Sequence, residues 1–132
     1  MEQDRNLEQE LIYCYSRKQA LEDGIQVDVS ETAKEAGIRY PVFITGTVYE
    51  RCVAVPDGVS GQDEAGRLWD VLTMFRWAAS KEHEHQTRFY FKLYVRNQDD
   101  QPPRLVELVA ACGALDFDDP QPAITIFFPE DE

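Results

Sequence analysis

The feature that most constrains this chain is a change of hydrophobic period near residue 81. Before it, Ala65, Leu68, Trp69, Leu72, Phe75 and Ala79 recur at steps of three and four. At 100° per residue those positions share one side of a helix. After it, Phe89, Phe91, Leu93 and Val95 alternate with Arg88, Tyr90, Lys92, Tyr94 and Arg96, the period of a strand with one buried face. A helix with a stripe to bury, followed by a strand with a face to bury, calls for layers of α on β. Asp63 and Glu64 place acids at the positive end of the helix, and Arg76 and Lys81 place cations at the other.

Ahead of that helix the chain states one local instruction twice: an extended run, a serine, a short helix, a glycine. Leu11–Tyr15 suits a first strand, and Ser16 with Gln19 three residues on has capping-box spacing for a helix over Arg17–Glu22 that Gly24 can end. Ile25, Val27 and Val29 then alternate with polar residues, Ser30 is positioned to cap a second helix, and Gly37 stops it. Pro41 keeps Arg39–Ile44 extended, and Thr45 is expected to cap a third short helix carrying Tyr49, Cys52 and Val53 on one face.

Beyond Val95, Arg104–Cys112 has the composition of a return strand. Gly113–Pro122 has that of an acidic, proline-bearing loop, and Ala123–Phe128 that of a last strand stopped by Pro129. The expectation is a single α+β domain over 1–132. It has short N-terminal strand–helix units, one long amphipathic helix, and a C-terminal antiparallel three-stranded meander packed on it. Residues 1–10 and 129–132 are expected as frayed acidic ends.

The net charge of −12 needs mapping before it means anything. Residues 1–10 and 116–132 hold ten acids and one base, or −9, and the remaining residues hold fifteen acids and twelve bases, or −3. Most of the imbalance is therefore terminal. An acidic DNA-mimic inhibitor needs carboxylates arrayed over a folded face, and direct nucleic-acid binding needs clustered bases. The central segment offers neither run, so mimicry stands only as an alternative and no direct nucleic-acid contact is expected. No apolar run reaches membrane-spanning length, and the acidic start is unlike a secretory signal. Cys14, Cys52 and Cys112 form no Cys-x-x-Cys pair and suit reduced thiols in a cytoplasmic protein.

Several blocks carry a resemblance: Tyr15-Ser16-Arg17-x-Gln19-Ala20-x-Glu22-Asp23-Gly24, Val27-Asp28-Val29-Ser30-Glu31, Asp63-Glu64-Ala65-Gly66-Arg67-Leu68-Trp69-Asp70-Val71-Leu72, and Ile124-Thr125-Ile126 before Pro129-Glu130-Asp131. The chain resembles a family of small uncharacterised proteins, a domain of unknown function, encoded on bacterial plasmids, phages and integrated elements. The resemblance implies a mobile-element accessory role and supplies no chemistry.

The residues offer several candidate sites. His83 and His85 form a His-x-His pair of the kind zinc accepts, although a polar helix-exit loop accounts for them equally. Arg17, Asp23 and Asp28 cluster around the short helices, and Arg67 and Asp70 lie on the long one. Together they are the groups a hydrolase or transferase would use in a cleft between the N-terminal half and the long helix. Asp63 and Glu64 are better placed as helix-end charges, and Cys14 lacks a basic neighbour. Met74 and Trp77 fall outside the apolar stripe, beside Asp70 and Thr73, where a tryptophan either meets a second element or anchors a partner. The leading expectation is a non-enzymatic protein-interaction domain without a cofactor, binding a protein partner or itself as a homodimer through Met74 and Trp77.

Overall fold

A computed structural model describes residues 15–81 and 86–131. The expected first strand lies outside the described residues except for Tyr15, which belongs to no regular element. Helix α1 (Arg17–Glu22) starts as its sequence dictates. The Ser16 hydroxyl accepts the Gln19 N–H at 3.0 Å while the Gln19 side chain accepts the Ser16 N–H at 3.2 Å. Gly24, at φ 74°, makes the left-handed exit.

Strand β1 (Gln26–Asp28) pairs antiparallel with β2 (Val42–Thr45), and between them lies α2 (Ser30–Glu35). Ser30 does not cap that helix. Asp28 accepts the Ser30 N–H at 2.9 Å, and the Ser30 hydroxyl accepts the Val42 N–H at 3.1 Å. The first amide of β2 reaches the hydroxyl before the amides of α2 can, a competition that local spacing does not contain. Thr45 caps α3 (Gly46–Val48) as expected, accepting the Val48 N–H at 3.2 Å. The helix then widens into a π-turn over Tyr49–Val53, closed by the Ala54 N–H on the Tyr49 carbonyl at 2.7 Å.

Helix α4 (Glu64–Ser80) is capped by Asp63, whose carboxylate accepts the Gly66 N–H at 2.6 Å. Three antiparallel strands follow in one mixed sheet, β3 (Arg88–Val95), β4 (Arg104–Asp116) and β5 (Asp119–Phe127). The sheet has five strands in the order β1-β2-β5-β4-β3, so the expected meander is part of a larger sheet, joined to the N-terminal half by parallel pairing of β2 with β5.

The segment expected as a loop, Gly113–Pro122, is mostly ladder: β4 and β5 run to a tight turn at Phe117 and Asp118, with a register shift between Ala114 and Asp116. Proline is tolerated there for a geometric reason. The Ile124 N–H points to Pro41 of the β2 side, at 2.9 Å, so Pro122, two residues earlier, turns its missing N–H away from β4. Pro129–Asp131, expected to fray, closes a single 3-10 turn through the Asp131 N–H on the Phe128 carbonyl.

The core lies between α4 with the α3 region and one face of the sheet. Ile44, Leu72, Leu108 and Ile126 are fully buried, and the Phe75 ring meets Phe89 edge-on at 6.1 Å. Truncating Leu72 to alanine in such packing costs about 2–5 kcal/mol.

The buried side of α4 differs from the expected stripe. Arg67, Val71, Leu72 and Phe75 are buried, whereas Ala65 and Trp69 are exposed. Met74, expected off the core, is half-buried and packs against it. The face is turned by roughly 60° toward Arg67, judged at 100° per residue. A wheel drawn from apolar residues alone counts the indole inward and the arginine outward. The fold does the reverse because the guanidinium finds acceptors inside.

Candidate functional site

Arg67 is 6% exposed, and its surroundings decide what it can do. Its Nε donates to the Cys52 carbonyl at 3.1 Å, Nη1 to the Arg96 carbonyl at 3.1 Å and the Gln62 side chain at 3.3 Å. Nη2 donates to the Asn97 side chain at 2.7 Å and the Arg51 carbonyl at 3.3 Å. These bonds match the five donors of a guanidinium, and all five acceptors are neutral. Two of them, Arg51 and Cys52, are carbonyls that the π-turn leaves open at its end. Burial pushes the Arg67 pKa down. With its donors engaged, the side chain ties α4, the π-turn and the exit of β3 together and has none left for a substrate.

Arg17 occupies a second node on the opposite sheet face. Its Nε donates to the Leu115 carbonyl at 2.9 Å, and its Nη1 to Gln26 at 2.9 Å and Thr125 at 2.8 Å. The guanidinium stacks 4.2 Å from the Phe43 ring centre. Burial lowers its pKa, opposed by the nearby charges of Asp116 and Asp28. Asp116 accepts the N–H groups of Arg17 and Lys18 at 3.2 and 3.1 Å, so the β4–β5 hairpin caps α1 from 99 residues away. Asp23 accepts from the Tyr15 hydroxyl.

Arg17 and Asp28 therefore belong to one face, while Arg67 and Asp70 belong to the α4 side, and the two arginines share no partner. Asp63 is committed to its cap, and Tyr49 is hydrogen-bonded to Glu64, which raises the phenol pKa.

Asp70 instead lines an open groove of about 730 Å³ between α4 and β3, with Gly66, Arg67, Trp69, Leu93, Tyr94 and Pro103 among its walls. Trp69 is 43% exposed and Trp77 55%. Together with exposed Thr73 they stand at four-residue steps along the solvent side of α4. The Lys81 ammonium lies 3.6 Å from the Trp77 ring centre. Of the expected interface pair, Trp77 is on the surface and Met74 is committed inward.

Trp69 at the surface and Asn97 as the partner of Arg67 were not expected from the sequence. A signal existed for the arginine: Arg67, Val71, Met74 and Ala78 recur at steps of four, three and four.

His83, His85 and Cys14 lie outside the described residues. Among the described residues no group of three or more His, Cys, Asp or Glu is placed to hold a metal ion. Cys52 and Cys112 are free thiols. Burial raises Cys52 to about 11 against the opposing charges of Arg51 and Arg67, and raises Cys112 as well. Neither is an activated nucleophile. No helix among the described residues is long and apolar enough to cross a membrane.

A family model described as a family of unknown function (DUF6573) matches residues 7–132. The chain belongs to this family. No curated protein and no solved structure matches it. Membership in the DUF6573 family thus covers the sheet, α4 and both arginine nodes while naming no activity for any of them.

Proposed function

We propose that this DUF6573 protein is a non-enzymatic protein-interaction domain that acts through the outward side of α4, in the mobile-element setting its sequence resemblance implies. The observation that carries the reading is the exposure of two indoles, Trp69 and Trp77, two turns apart on one helix. Tryptophan is costly to leave in water and is the residue most enriched at the centres of interfaces. The groups an enzyme would use are spread over two sheet faces or already spent on caps and carbonyls.

The test compares the tagged protein with Trp77→Asp in capture from a bacterial host, read by mass spectrometry, alongside sedimentation of each variant alone. The reading expects a protein, or a second copy of the chain, that is retained by the parent and lost from Trp77→Asp while thermal unfolding stays cooperative. Identical recovery and identical sedimentation for the two would sink it.

A further inference from the structure

The groove beside α4 ends on a sheet edge. Strand β3 is terminal in the sheet, and no described strand pairs with its outer side. Its hydrogen-bonding phase follows from one contact: the Cys112 N–H donates to the Thr87 carbonyl at 2.7 Å, which makes 87 and 112 a mutually bonded pair. In antiparallel register such pairs recur every second residue, so Phe91 and Leu93 also face β4 through their backbones. The N–H and C=O groups of Lys92 and Tyr94 then point to the open edge. Arg96, two residues on, confirms the phase, because its carbonyl accepts from Arg67 on the α4 side at 3.1 Å. The groove follows this edge from Leu93 to Arg96, with Trp69 and Asp70 forming its helical wall. Trp77 falls within about 20° of Asp70 around the helix axis, two turns further along.

We infer that an extended segment of a partner protein adds to β3 as a sixth strand, with α4 flanking it. This rests on the interaction reading above and names the partner's chemistry: alternating apolar and carboxylate side chains. Strand addition draws affinity from main-chain bonds and specificity from alternate side chains. One side of an added strand faces Trp69 and Leu93 and suits apolar residues. The other lies beside Lys92, on a strand whose outward side chains are only cations and tyrosines. Arg88 is already engaged, and among the described residues two acids come near Lys92 and Arg96. Glu107 opposes Lys92 from β4, the side away from the open edge, and Asp99 near Arg96 is held by the Ser60 N–H and hydroxyl. A second copy fits less well, because pairing Lys92 with itself also sets Arg88 against Arg96.

The probe is a fluorescein-labelled nine-residue peptide of alternating valine and aspartate. It is compared with a valine–lysine peptide and with a version N-methylated at alternate amides, all against the full chain. The acidic peptide is expected to bind at least tenfold tighter than the basic one. N-methylation is expected to abolish binding, Lys92→Glu to reverse the charge preference, and amide exchange to slow at Lys92 and Tyr94. Undiminished binding after N-methylation, or no binding at millimolar peptide, overturns the inference. So does a dimer in which those amides are already protected, or binding that appears only after removal of residues 1–14. Trp77-dependent partner capture that survives such a result would leave the interaction reading standing and remove only strand addition.

Discussion

Arg67 and Arg17 are the same residue type solving the same problem on opposite faces of one sheet, and the contrast between them is instructive. Arg67 is almost wholly buried and engages five neutral acceptors drawn from three segments. Arg17 is half-exposed, places three bonds, and lies flat on Phe43 near Asp116. A buried cation without a carboxylate is held only if its donors are satisfied, since each missing bond exposes its full desolvation cost. A half-exposed one can leave part of its hydration to water. The first is a keystone of the core and the second a clasp for α1, although in sequence both look like candidates for chemistry.

The sharpest way to break this contrast is Arg67→Met, which strands the Cys52 carbonyl and the Asn97 side-chain oxygen, and leaves the Arg51 carbonyl with the Asn97 amide alone. A loss of about 3–5 kcal/mol is expected, because several buried neutral acceptors lose a donor at about 1–3 kcal/mol each, and a melting temperature lower by roughly 10 °C or more. Arg67→Lys should not rescue it, because three donors cannot replace a five-donor fork. A melt within 2 °C of the parent, by calorimetry on the order of precision used for such shifts, would show the node to be dispensable.

Arg17→Ala should cost less, about 1–3 kcal/mol, and the loss should be local. Faster amide exchange confined to α1 and the β4–β5 hairpin is the expected signature. Equal acceleration throughout α4 would erase the distinction between keystone and clasp. Asp63→Ala, which removes the cap on the helix carrying Arg67, should cost about 1 kcal/mol, with Asp63→Ser recovering most of it. Denaturant melts of the pair measure that difference.

The smallest effect is a pH dependence on the Arg17 side. The Asp116 pKa is held down chiefly by the Phe117 N–H, then by those of Lys18 and Arg17 and by the Arg17 charge. A lowered folded pKa means the stabilisation is complete above the ordinary aspartate range and disappears as pH falls through the folded value. Exchange at the Lys18 amide should therefore accelerate in acid beyond its intrinsic rate, and Asp116→Asn should remove that acceleration. The Arg67 node, with no carboxylate among its acceptors, should show no matching change.

The division between what was readable in the sequence and what was not follows interaction range. The Ser16 and Thr45 caps, the helix-end charge at Asp63, the Gly24 exit and the inward set Phe89, Phe91, Leu93 and Val95 depend on neighbours within four residues, and all were readable. The Ser30 hydroxyl, the turned face of α4 and the Asp116 cap on α1 depend on atoms at least twelve positions away or on another element, and none was. The surface site divides the same way. Trp77 stood out as lying off the stripe, but Trp69 was masked by its own hydrophobicity.

By itself, then, the sequence determined most of the element types, the Ser16 and Thr45 caps and the α+β layering, because hydrogen-bond spacing and hydrophobic period are local properties of a chain. Only the tertiary structure decided that β2 joins β5 to make one five-stranded sheet and that β3 is left as an edge beside a groove. It also decided that the arginines are spent on structure while the tryptophans remain in water. Those outcomes turn on which distant carbonyl reaches which donor first, and that competition exists only once the chain has folded.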